Sequence, residues 1–209
     1  MLGNLSVGDI LILVAVILVS LTIHEMVHAL VGFKLGDDTA ADQGRISLNP
    51  LVHIDPFMTI ILPIISIVAF GTPILAAKPV PFNPDRVKGE EFGGALIAVA
   101  GPLSNLVLAI IGIALANFAV GNATVSSILY TFSAVNVGLF VFNLIPIPPL
   151  DGSRVLYAFA PDALRNFMNQ LEPYGFFLIF GIVLLGGFAF VGNLIDTVFN
   201  ILPFNPFII

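Results

Sequence analysis

The chain has 209 residues, of which 58% are hydrophobic and only 10% charged, and its mean hydropathy is +1.07. Such a composition lies outside the range of soluble domains and leaves room for one membrane domain without a large soluble appendage. A net charge of −6 with seven basic residues excludes a nucleic-acid surface, and the lack of cysteine excludes disulfides and thiolate metal sites.

Five apolar segments predict an all-α polytopic membrane protein. The first, residues 10–33, is long enough to cross a hydrocarbon core of about 30 Å. Residues 1–9 carry no Lys or Arg and no small-residue cleavage site follows, so this segment is expected to be retained. Residues 43–56 come next and contain a strand-like run, Gly44-Arg45-Ile46-Ser47-Leu48, ended by Asn49-Pro50. The second apolar segment, residues 57–77, is interrupted by Pro63, Gly71 and Pro73 and is expected to kink or re-enter. The third spans residues 93–118. The fourth runs from 126 to 145 and continues through a proline-rich stretch to Asp151 and Gly152. Residues 153–172 are mixed in polarity, and Leu156, Phe159, Leu164, Phe167 and Leu171 suit an interfacial helix. The fifth apolar segment is residues 174–202.

The basic residues predict orientation. Lys34 and Arg45 follow the first segment, Lys78, Arg86 and Lys88 precede the third, and Arg154 and Arg165 follow the fourth. The link 117–125 has none, so the positive-inside rule places the three basic groups in the cytoplasm and this link outside.

The first segment contains His24, Glu25 and His28, an H-E-x-x-H pattern, and no other charged residue. A charge at the centre of a bilayer helix costs about 2.5–3.5 kcal/mol on insertion scales, so such groups imply something to bind or do. One helical turn separates His24 from His28, which lets both ligate one zinc ion. Glu25 is adjacent without being forced to ligate, as suits a general base acting on water at the metal. A catalytic zinc usually takes a third protein ligand, here His53 or a carboxylate. Asn143-Leu-Ile-Pro-Ile-Pro-Pro-Leu-Asp151-Gly152 ends the fourth segment on the side where the histidines lie. Its prolines break the helix and Gly152 permits close approach, which favours Asp151.

With these residues in order, the chain resembles the site-2 protease family of intramembrane zinc metalloproteases. The resemblance rests on His24-Glu25-Met-Val-His28, Ala100-Gly101-Pro102-Leu103-Ser104-Asn105 and the Asn143–Gly152 stretch, and covers most of residues 20–155. Gly44–Asn49 with Asn49-Pro50-Leu-Val-His53-Ile-Asp55-Pro56 resembles a compact bacterial and archaeal branch. The resemblance implies one Zn2+ per chain held by His24, His28 and Asp151, with Glu25 activating water. It also implies transmembrane protein or peptide substrates that unwind in a lipid bilayer before cleavage. Many relatives carry a helix before the H-E-x-x-H helix, with which this chain is expected to begin, and others carry PDZ or CBS domains, which are not expected within these 209 residues.

Other readings stay open beside these. His24, Glu25 and His28 could form a buried polar cluster between helices, and Asp151 could cap a helix. His53 either bonds Asp55 to pin its loop or lines the mouth of the site. Asn143 and Asn105 either satisfy backbone in broken helices or, for Asn143, hold an unwound substrate. Gly44, Arg45, Ile46, Ser47 and Leu48 either pair with substrate as a strand edge or form an ordinary loop. The alternative function is a non-hydrolytic membrane metal-binding or transport protein, although no internal repeat is visible.

Overall fold

A computed structural model describes residues 6–55, 80–119, 121–184 and 187–202. Helix α1 (Val7–Lys34) opens with a reciprocal cap: Asp9 N–H donates to Ser6 Oγ at 3.1 Å, and Ser6 N–H donates to Asp9 Oδ2 at 2.9 Å. Its 28 residues rise about 42 Å, more than a hydrocarbon core of about 30 Å. A short helix α2 (Thr39–Asp42) and a 3-10 turn (Pro50–Val52) follow. A second 3-10 turn (Pro84–Arg86) leads into α3 (Glu90–Phe118), and a loop ending at Asn122 leads into α4 (Ala123–Asn143). The irregular, proline-rich residues 144–150 precede α5 (Asp151–Phe159), and α6 (Asp162–Leu171) comes next. The last described helices are α7 (Gly175–Leu184) and α8 (Gly187–Ile201).

Three of these helices, α1, α3 and α4, are long and apolar enough to cross a membrane. Among the described residues the expected count of five segments is therefore not supported. Residues 57–77 lie outside the described residues, and within 174–202 the described residues form helices Gly175–Leu184 and Gly187–Ile201.

Helix α3 is the centre of the bundle, packing on α1, α4 and α5. Ala109 and Ile113 of α3 meet Val137 and Val141 of α4, and Val191 and Leu202 complete this buried cluster. The basic ends converge on one side of the molecule. Lys88 N–H donates to Leu35 O at 2.8 Å, and Arg86 pairs with Asp38. Buried Asp37 accepts from Asn83 N–H at 2.7 Å and from the Thr39 hydroxyl at 2.5 Å. On the same side, Arg165 of α6 donates to Glu91 of α3 at 3.0 Å.

No strand occurs among the described residues, which corrects the expectation for Gly44–Leu48. The backbone there bends back on itself instead. Gly44 takes a positive φ of 69°, Arg45 N–H donates to Ala40 O at 2.9 Å, and Ser47 N–H donates to Arg45 O at 2.9 Å. The Arg45 guanidinium then donates to Val52 O at 2.7 Å, which knots the loop to the following turn. Local hydrogen bonds therefore set this backbone in place of strand pairing.

Candidate metal centre

Helix geometry brings His24 and His28 to one face of α1, and their Nε2 atoms stand 2.9 Å apart. Asp151, the first residue of α5, sends Oδ2 to 3.2 Å from His24 Nε2 and 3.3 Å from His28 Nε2. The sequence had left His53 open as the third donor; among the described residues the cluster is His24, His28 and Asp151. Asp151 caps nothing, since the residue before α5 is Leu150 and no side chain caps its first turn. Its Oδ2 is buried and has no hydrogen-bond partner among the described residues.

Two glycines make this convergence possible. A Cβ on Gly101 of α3 would sit 2.3 Å from His28 Nε2 and 2.8 Å from His24 Cε1, so only hydrogen leaves space for the imidazoles. Pro102 follows it and cannot donate to Ala98 O, which interrupts the helical ladder beside the site. A Cβ on Gly152 would meet Leu144 O at 2.2 Å, so glycine lets α5 start pressed against the end of α4.

The donor set fits a zinc ion. Both Nδ1 atoms are engaged away from the cluster, His28 with Ile97 O at 2.7 Å and His24 with Asn105 Oδ1 at 2.6 Å. Carbonyl oxygens only accept, so the protons of neutral imidazoles sit on Nδ1 and leave both Nε2 atoms as lone pairs. Two nitrogen lone pairs and a carboxylate oxygen, mutually close and short of donors, repel one another unless a cation joins them.

Glu25 is buried on α1 beside the ligand His24. His53 is itself buried. Its Nε2 pairs with Ser47 O at 2.9 Å, while Nδ1 has no partner among the described residues. Asn143 donates to Leu139 O at 3.0 Å within its own helix. Ile46 and Leu48 present exposed side chains, and Arg45 is buried in the loop. A cleft of about 470 Å³, lined among others by Glu91, Gly94, Arg154 and Tyr157, opens beside α3 and α5.

Sequence reasoning passed over the amides nearest the site. Asn105, read mainly as structural, contacts His24 directly, while Asn136 and Ser20 were not singled out. The signal was present in the spacing. Asn105 is one turn from Gly101 on α3, and Ser20 is one turn from His24 on α1.

The profile of peptidase family M50 matches residues 119–185. YwhC of Bacillus subtilis strain 168, a proposed zinc metalloprotease, is 42% identical over 190 residues, covering 85% of this chain and 83% of YwhC. Rip2 of Mycolicibacterium smegmatis, also a proposed zinc metalloprotease, is 29% identical over 175 residues, 83% of this chain and 66% of Rip2. Zinc metalloprotease MJ0392 of Methanocaldococcus jannaschii is 38% identical over 74 residues, 35% of this chain and 21% of that protein. No solved structure matches the chain. A helical membrane protein with a histidine and carboxylate donor set is a membrane metalloprotease in this setting, and the chain belongs to peptidase family M50.

Proposed function

We propose that this zinc metalloprotease cleaves transmembrane segments of other proteins, with His24, His28 and Asp151 as metal ligands and Glu25 as general base. The observation that carries the reading is the convergence of His24 Nε2, His28 Nε2 and Asp151 Oδ2, within 3.3 Å of one another, inside a membrane-length bundle. When bound, zinc supplies Lewis-acid polarisation of the scissile carbonyl and makes water acidic enough to deprotonate near neutral pH. Glu25 would take a proton from the attacking water and pass it to the leaving amine, so one carboxylate would serve as base and then acid. The burial of Glu25 keeps bulk water from competing for this proton.

The active site faces the cytoplasmic side of the cell membrane. Lys34, Arg86 and Lys88 cluster at the ends of α1 and α3 nearer to the ligands, and the 119–122 link at the far end has no basic residue. Exposed Leu156, Phe159 and Phe167 on α5 and α6 suit helices lying at that interface. Substrate enters as an unwound segment beside Asn143, His53 and the loop Gly44, Arg45, Ile46, Ser47 and Leu48. His53 Nδ1 and the exposed Ile46 and Leu48 provide an acceptor and an apolar rim for it.

The test is Glu25→Gln against wild type, reading zinc content and cleavage of a model transmembrane substrate. Zinc should stay at one per chain while turnover falls by roughly 10²–10⁴-fold. Turnover at the wild-type rate would remove Glu25 as base, and a zinc-binding protein without proteolysis in the wild type would favour a transport or storage role.

A further inference from the structure

A line of buried polar groups runs away from His24 across three helices, and its polarity can be read from one end. Phe132 O on α4 is a backbone carbonyl and can only accept, so the Asn136 atom 2.8 Å from it is the amide nitrogen. The same nitrogen lies 2.8 Å from Ser20 Oγ on α1. Asn136 therefore turns Oδ1 toward α3, where Asn105 must answer with its own amide nitrogen, at 2.8 Å. That leaves Asn105 Oδ1 against His24 Nδ1 at 2.6 Å. Ser20, Asn105 and Asn136 are each 0% exposed, so water cannot substitute for a partner if one amide flips.

We infer that the chain Phe132 O–Asn136–Asn105 sets the tautomer and ring rotation of His24, so that Asn105 and Asn136 are positioning residues for this metal ligand. The proton is held on Nδ1 and the lone pair of Nε2 is aimed at Asp151 Oδ2 and His28 Nε2. Partners of this kind typically fix ring orientation and raise ligand basicity, and their loss costs 10–100-fold in metal affinity. The two histidines differ in this respect. His28 Nδ1 is held by the Ile97 carbonyl, which no side-chain substitution removes, whereas His24 depends on replaceable amides. The line also joins α1, α3 and α4, which ties the packing of the bundle to the ligand.

This inference rests on His24 being a metal ligand, and the experiment separates the two. Wild-type protein with 15N-labelled histidine is prepared in micelles, metal-free and loaded with 113Cd2+. Its three histidines are assigned by the loss of one signal set in His24→Gln. The metal-free protein should show His24 protonated at Nδ1, and the loaded protein should show cadmium coupling at His24 Nε2. Protonation at Nε2, or coupling at Nδ1, would overturn the inference while leaving the metalloprotease reading intact. No metal binding with an Nδ1-protonated His24 would do the reverse. Chelator competition then compares zinc affinity in wild type, Asn105→Leu and Asn105→Asp. Asn105→Leu should bind about 10–100-fold more weakly, and Asn105→Asp, which keeps an acceptor at Nδ1 but loses the donor to Asn136 Oδ1, should recover part of that loss. Folded Asn105→Leu protein with wild-type affinity, or equal losses in both variants, would end the argument. If Asn105→Leu does not fold, the wild-type spectra decide it alone.

Discussion

His24 Nε2 and His28 Nε2 meet at 2.9 Å because Gly101, on a different helix, has no side chain to place between them. A methyl there would stand 2.3 Å from His28 Nε2, well inside contact distance, so Gly101→Ala must move the ring or part α1 from α3. Zinc affinity is expected to fall at least about ten-fold, the loss typical of a disturbed ligand shell. Gly94→Ala, on the same helix and with nothing within 4 Å of its added Cβ, is the control. It should keep zinc and gain up to about 1 kcal/mol of helix stability. Equal zinc affinities for the two variants, by chelator competition, would show that the ligands do not need the gap.

The site was legible in the sequence to the extent that it is local. His24 and His28 share a face because they are one turn apart, and the bilayer length of their segment sets them in a membrane helix. Asp151 was reachable through the proline break before it and the glycine after it. The relay behind His24 was not legible, because Asn105 and Asn136 are 31 residues apart and Asn136 and Ser20 are 116 apart. An asparagine in an apolar helix announces a need for partners without naming them. The Gly44–Leu48 loop failed for the opposite reason: a short run ended by Asn49-Pro50 suggested a strand, but the bond from buried Arg45 to Val52 O and the turn at Gly44 decide the backbone locally.

Asp37 provides a pH dependence outside the membrane helices. Burial pushes its carboxyl up, but the Thr39 hydroxyl, the backbone N–H groups of Asn83 and Thr39, and the Arg86 charge outweigh this and hold it below the ordinary 3.8. A folded value below the unfolded one gives stability that is fully present above about pH 4 and lost as pH falls through the folded value. Asp37→Asn should therefore lower stability at neutral pH by about 1.5–3 kcal/mol, the usual worth of hydrogen bonds to a charged group. In acid the two proteins should converge. Unfolding of metal-free protein in detergent, followed against pH, checks this; a difference that persists unchanged in acid would mean packing and not charge.

Substrate handling is testable at Asn143, whose amide donates to Leu139 O in its own helix, a bond it can give up to an unwound peptide. A backbone group exposed in hydrocarbon costs several kcal/mol unless it is re-paired. Asn143→Ala should lower cleavage about ten-fold, the weight of one such hydrogen bond of about 1.4 kcal/mol, with zinc content unchanged. Helix-destabilising residues in the substrate should partly restore the rate, because they reduce the cost of unwinding. Unchanged cleavage in Asn143→Ala would remove it from the substrate path, and zinc loss would make it structural.

Orientation can be read with two single cysteines, since the chain has none of its own. Exposed Asp85 stands in the turn before α3, beside the Arg86–Asp38 pair, and exposed Asn122 caps α4 at the opposite end of the bundle. Asp85 is preferable to Gly36 as a probe, because Gly36 has a φ of 103° and an added Cβ would press on Arg86 O at 3.3 Å. If the basic end is cytoplasmic, a membrane-impermeant thiol reagent should label Asn122→Cys in intact cells and Asp85→Cys only after the membrane is opened. The active site lies toward the Asp85 end, because His28 is six residues, about 9 Å of helix, from Lys34 at the end of α1. Labelling of Asp85→Cys from outside would invert the protein and place Glu25, with its water supply, on the extracytoplasmic side. Labelling of both cysteines from one side would mean that α3 does not cross the membrane at all.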